Sequence, residues 1–324
     1  MRHIAATFTA VLVTVALTPA PAGAALVTHC IGTGGAVTVP NDLYVPAGES
    51  CDLTGTVITG NVSVAAGANL VIDGGRVDGD VRVAADGYLD ASGSTVGGAV
   101  VLAAGGYGLY LRDASTGPVT VRPKGTATVD SFLFAEATTI TGSVNSQAGE
   151  VRLDRGSEIT GGVSTTGTYY TDVHDSFIDG VLSVLNSSTG SVVCGSAVRG
   201  RSTFAGNLGG VQLGPNGGLD SCASGGYFGR DVSITNTTGG VSVEDTIIDG
   251  TLTVNSNNPA ARIGTDNRIR GGVISTQAAG TAGLASAQRR ATAAARDGDA
   301  AAERTEERRA EAVQEATAAG QADL

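Results

Sequence analysis

The chain has 324 residues, a formal net charge of −11, 49 glycines, no tryptophan, one methionine and an aromatic content of only 4%. So acidic a balance argues against nucleic acid or an anionic lipid surface as partner, and glycine at this level without a three-residue period is not collagen-like. The apolar residues are mostly Val, Ile and Ala, which suit flat, closely stacked pleated surfaces better than a core of bulky side chains.

Residues 1–24 read as a secretory leader. Arg2 gives the positive start, residues 4–17 form a mainly apolar run, and Ala22-Gly23-Ala24 is a small-residue cleavage site. The run is short for a membrane span, and no later apolar stretch reaches spanning length. The mature chain is therefore expected to be secreted, extracellular or at the cell surface, with no transmembrane segment. The acidity belongs to the body: residues 25–284 hold 13 basic and 23 acidic side chains, against 6 and 8 in residues 285–324.

From residue 58 a short device recurs: apolar residue, any residue, Gly, any residue, Val. Its anchors are Gly60, Gly79, Gly98, Gly117, Gly142, Gly161, Gly180, Gly200, Arg230, Gly250 and Gly271, at steps of 19, 19, 19, 25, 19, 19, 20, 30, 20 and 21. Two places before each anchor the residue is apolar in ten of eleven cases, Ser115 excepted, and two places after it in ten of eleven, Ser202 excepted. That regularity makes chance a poor explanation. Alternation of period 2 inside a period of 19–21 is one coil of a β-solenoid. Glycine at the anchor suits a corner between short strands. A second strand precedes many anchors and ends in an acidic turn, as at Asp73, Asp113, Asp154, Asp175 and Asp245. The long steps hold two insertions, one including Ser131-Phe132-Leu133-Phe134 and one spanning roughly residues 206–226. Loops projecting from a regular rod are natural carriers of specificity.

The four cysteines form two local pairs. Cys30 and Cys51 lie about one rung apart, and Cys194 and Cys222 occupy nearly matching places in successive rungs. In an exported chain these spacings predict disulfides Cys30–Cys51 and Cys194–Cys222. Carboxylates recur before anchors as well, at Asp78, Asp179 and Asp249. Asp makes its own turns by bonding nearby backbone, while stacked carboxylates leave Ca²⁺ open as a ligand. In Asp172-Val173-His174-Asp175-Ser176, strand alternation puts Asp172 and His174 on one face and Asp175 on the other. No nucleophile elbow accompanies them, so His174 reads as a polar turn residue. Asn61, Asn186 and Asn236 fit the glycosylation sequon.

Residues 285–324 change character to Ala, Arg and Glu. They predict a helix with pairs such as Glu306 with Arg309 and Arg308 with Glu311, or a disordered tail, since little apolar surface is available to bury. A polar cap on the rod is a third role open to them.

The rungs Gly60-Asn-Val-Ser-Val64 and Ile72-Asp-Gly-Gly-Arg-Val-Asp-Gly-Asp-Val-Arg-Val83 resemble the bactofilin pattern, mainly across residues 58–102. That resemblance implies a cytoskeletal β-helix that polymerises end to end; a leader and paired cysteines depart from that cytoplasmic family. Arg268-Ile269-Arg270 partly matches a polygalacturonase-like segment, without the Gly-His-Gly that accompanies it there. The expected architecture is all-β: a leader (1–24), a single right-handed parallel β-helix of about 11 rungs (25–284), and a helical or disordered tail (285–324). The expected role is an exported structural or binding module, its partner a cell-wall or extracellular polysaccharide or another copy of itself. No catalytic, cofactor or metal residue is assigned. The alternative is a polysaccharide lyase or glycoside hydrolase on the same rod.

Overall fold

The computed structural model describes residues 26–126, 131–276 and 284–324, with helix side chains from residue 302 onward; the expected leader lies outside these residues. The body is a three-faced parallel β-solenoid. Its first face stacks 13 strands from Val27–His29 to Val273–Ser275, its second 12 from Gly32–Gly34 to Arg262–Ile263, and its third 12 from Thr38–Val39 to Arg268–Ile269. Each turn contributes one strand to each face in that order, and every strand pairs in parallel with its counterpart one turn away.

That makes 12 turns, one more than the anchors predict. The extra turn is the first. Val39 pairs with Ile58 and Leu43 with Val62, so Asn41 stands where later turns carry the anchor glycine. A search for glycine passes over it.

The alternation becomes the core directly. On the first face Val62, Val81, Val100 and Val119 stack in register and are fully buried. On the second face Leu70, Leu89, Leu109 and Leu133 do the same. Burying each such side chain contributes about 1.5–3 kcal/mol, so repetition, not residue size, supplies the stability. Ser115 does not break the third-face column, because Thr116 takes the inward place, paired with Val96 and Ile140. Ser202 does occupy an inward place, buried between Leu182 and Val232.

The anchor glycines are corners, as expected, and the reason is close approach. A Cβ on Gly180 would stand 2.5 Å from the carbonyl carbon and oxygen of Gly161 one turn below. The turn after most second-face strands instead needs left-handed backbone. Gly55, Gly74 and Gly93 supply it early in the rod, and Asp113, Asp175 and Asp245 supply it later, at φ of 50°, 43° and 48°. Aspartate tolerates that region better than most residues, which accounts for Asp113, Asp175 and Asp245; Asp73 and Asp154 instead end their strands, and Gly74 and Arg155 take the left-handed place after them.

Two expectations about the insertions change. Phe132–Glu136 is an ordinary second-face strand paired with Gly108–Arg112; its inward Leu133 and Ala135 hold register, so the first insertion precedes it. Gly210–Leu213 is also a regular strand, which confines the second insertion to residues 214–226. Both predicted disulfides are formed, each with Cα atoms 5.6 Å apart.

The tail is helical. Helix α1 (Leu284–Ala319) has 36 residues and runs back along the second face toward the first turn. Tyr107 Oη donates to Arg304 O at 3.0 Å, Arg308 Nε to Asn69 Oδ1 at 2.7 Å, and Ser50 Oγ to Glu315 Oε2 at 2.6 Å. Thr33 N then donates to Gly320 O at 2.8 Å, Ala322 N returns a bond of 2.8 Å to Thr33 O, and Gln321 pairs in parallel with Thr33. The tail thus covers the exposed N-terminal edge of the second face, a place where open strands invite unwanted pairing. Arg308 and Arg309, offered by spacing to Glu311 and Glu306, turn to the rod instead. Among the described side chains of α1 the buried ones are small: Thr305, Ala312 and Ala316.

Candidate functional site

Outward side chains on the second face form a continuous polar and aromatic file beneath and beyond α1. At the N-terminal end Arg309 bonds Asp73 at 2.9 and 3.1 Å and also Asp90, whose other oxygen accepts the Tyr88 hydroxyl at 2.9 Å. Asp90 is 0% exposed. Arg308 lies 4.8 Å over the Tyr107 ring. The rings continue up the face through Tyr88, Phe132 and Phe134, and Arg152 stands 4.7 Å over Phe134.

Beyond the rings is an ionic cluster. Glu150 and Arg152, on the strand Glu150–Asp154, pair at 2.9 Å. One turn on, the strand Tyr170–His174 presents Asp172 and His174 on the same outward side, as alternation predicts. His174 Nε2 stands 3.0 Å from Asp172 Oδ1 and 3.5 Å from Oδ2 of Asp220, which the second insertion delivers. Arg152 Nε approaches the other Asp172 oxygen at 3.9 Å. Gln212 holds the insertion, its Oε1 accepting the Asp220 N–H at 3.2 Å and its Nε2 donating to Asp220 O at 2.9 Å. Ser221 N–H occupies Asp220 Oδ1 at 2.6 Å, so Oδ2 is the oxygen offered to His174. Two residues later Cys222 is bonded to Cys194, itself the register partner of His174.

Burial opposes the imidazolium, but the two carboxylates outweigh it and raise His174 to about 10. Burial raises Asp172 despite His174, whereas His174 draws Asp220 below the usual carboxylate range. A histidine held so far above neutrality is poorly poised as a general base. His174 is therefore an ion-pair residue on a strand, not a turn residue. Asp175 makes the turn, and Ser176 spends its hydroxyl on His174 O at 2.6 Å.

The remaining sequence candidates are not gathered here. Asp78 and Asp179 pair with Arg76 at 3.2 Å and Arg199 at 2.7 Å, and Asp249 pairs with Arg270. Arg268 and Ile269 form the last third-face strand. A shallow depression near that corner is lined by Arg201, Arg230, Asp231 and Asp249. Asn61 joins a side-chain ladder, its Oδ1 accepting Asp80 N–H at 3.0 Å, while Asn186 and Asn236 sit in left-handed turns. Glu150, Arg152 and Asp220 were absent from the sequence expectations. The signal for Asp220 was the Cys194–Cys222 pairing, which carries the insertion back to the turn of His174.

Comparison of the chain with protein-family models, with curated proteins and with solved structures gives no match.

Proposed function

We propose that the chain is an exported structural rod, acting at the cell surface or outside the cell, that associates with another copy through its C-terminal end. The observation that carries this reading is the surfacing of the core columns at that end. Val273 is 46% exposed, although Leu252, its register partner one turn below, is fully buried. Ile274 beside it, on the outward side in register with Thr253, is 54% exposed. Among the described residues each face ends there in a strand paired on one side, a template for backbone pairing as well as for apolar contact. Along the second face the charged side chains meanwhile form ion pairs, Glu150 with Arg152 and His174 with Asp172 and Asp220. The bactofilin-like rung pattern fits the same use of a solenoid as a stacking unit, and two disulfides suit an oxidising compartment.

Size-exclusion chromatography with light scattering, on residues 25–324 and on Val273→Asp, tests this. Concentration-dependent dimers for the wild type and monomers for the variant are expected. A wild-type monomer at high micromolar concentration would overturn the proposal.

The second reading, a polysaccharide lyase or hydrolase, draws on Asp172, Asp220 and Arg152 converging beside an insertion. Incubation with acidic and neutral polysaccharides decides it. New reducing ends or unsaturated products that vanish with Asp220→Asn would establish catalysis at this cluster.

A further inference from the structure

We propose that Asp172, His174 and Asp220 form a binding site for a first-row divalent metal ion of the zinc class. Their donor atoms, one from each residue, all lie within 4.8 Å of one another. Around zinc at roughly 2.0–2.2 Å from nitrogen and oxygen ligands, neighbouring donors in a tetrahedron stand about 3.3–3.6 Å apart. Of the contacts from His174 Nε2, that of 3.5 Å to Asp220 falls within this spacing and that of 3.0 Å to Asp172 is a few tenths of an ångström shorter.

A second observation separates this cluster from an ordinary group of acidic residues. Asp172 is only 7% exposed, and its Oδ1, like His174 Nε2, is a buried atom without a hydrogen-bond partner. The two atoms face each other at 3.0 Å without hydrogen-bond alignment. Buried polar atoms left unsatisfied are costly, and an ion between them and Asp220 Oδ2 would satisfy both, displacing the proton that the two carboxylates hold on the imidazole.

The cluster is also held in place from every side. Arg152 engages the far oxygen of Asp172, Ser221 takes the far oxygen of Asp220, and Gln212 clamps the Asp220 backbone. The Cys194–Cys222 bridge fixes the insertion against the turn that bears His174. Such outer contacts orient ligands toward a metal. Side-chain exposures of 20% for His174 and 35% for Asp220 leave a route for the ion and for a water as fourth ligand. Imidazole with two carboxylates favours zinc, cobalt or nickel over the all-oxygen shells of Ca²⁺ and Mg²⁺.

The test is titration calorimetry of residues 25–324, disulfides intact and stripped with a chelator, using Zn²⁺, with Co²⁺ absorption as a second readout. One saturable Zn²⁺ event per chain is expected, with Co²⁺ bands that Zn²⁺ displaces and Ca²⁺ does not. His174→Gln and Asp220→Asn should each weaken Zn²⁺ at least tenfold, while His29→Ala leaves it unchanged. Circular dichroism of the near-isosteric Asp220→Asn chain shows whether the fold persists. No saturable event, an event that survives both site variants, or Ca²⁺ binding as tight as Zn²⁺ would overturn the proposal.

Discussion

Replacing Arg309 by Ala tests how the tail is attached. Arg309 bonds both Asp73 and Asp90, and Asp90 is fully buried, its other partners among the described residues being the Tyr88 and Ser92 hydroxyls at 2.9 and 3.3 Å. Removing one partner of a buried pair costs about 3–5 kcal/mol, because the other charge stays desolvated. The chain has a cheaper response: α1 can lift and let water reach Asp90. The measured loss is then capped by the docking free energy of the helix. Hydrogen exchange should show the change in the last turns of α1 and in the strands Asn69–Asp73 and Tyr88–Ser92, with protection falling roughly a hundredfold for about 2.7 kcal/mol. Adding Asp90→Asn removes the orphaned charge, so the double variant should regain protection relative to Arg309→Ala. Unchanged exchange in Arg309→Ala, or a double variant that sums the single losses, would refute the buried-pair argument.

The two glycine roles separate by substitution. Gly180→Val, forced against Gly161 backbone at 2.5 Å, should cost about 1–3 kcal/mol in urea unfolding. Gly93→Asn, at φ 56° with no neighbour nearer than 3.9 Å, should lose less than about 1 kcal/mol. Replacing Cys194 and Cys222 together by Ser opens a span of 28 residues and should lower stability by about 3–4 kcal/mol on the chain-entropy account, read from denaturant midpoints. Burial, then the Glu136 carboxylate, raise Tyr110 from 10.0 to about 12 against the pull of Arg112. Because the folded value is the higher, this contribution is complete below pH 10 and is lost as pH rises toward 12. Thermal unfolding across that window should fall more steeply for the wild type than for Tyr110→Phe.

Wherever the period ran, the architecture was legible. Stacked turns make each column of Val or Ile a repeated statement of the same inward position, so the three parallel faces follow from spacing. The misreadings occur where chemistry other than glycine or a large apolar residue fills a place. Asn41 serves as an anchor, Thr116 takes an inward position, and Phe132 packs outward in a regular strand. The tail was underestimated because α1 docks through Arg308, Arg309 and an alanine face, without the apolar stripe that marks most docked helices. At the site, alternation placed Asp172 beside His174. Asp220 lies 46 positions after His174, brought back by one full turn and an insertion of no fixed length.

Small-angle X-ray scattering across a concentration series measures the central claim most directly. Twelve turns at about 4.8 Å give a rod of roughly 60 Å. Association through the C-terminal end should lengthen the maximum dimension toward about 120 Å at constant cross-section, and Val273→Asp should hold it near 60 Å. A particle that grows in cross-section at unchanged length, or never grows, would contradict the account.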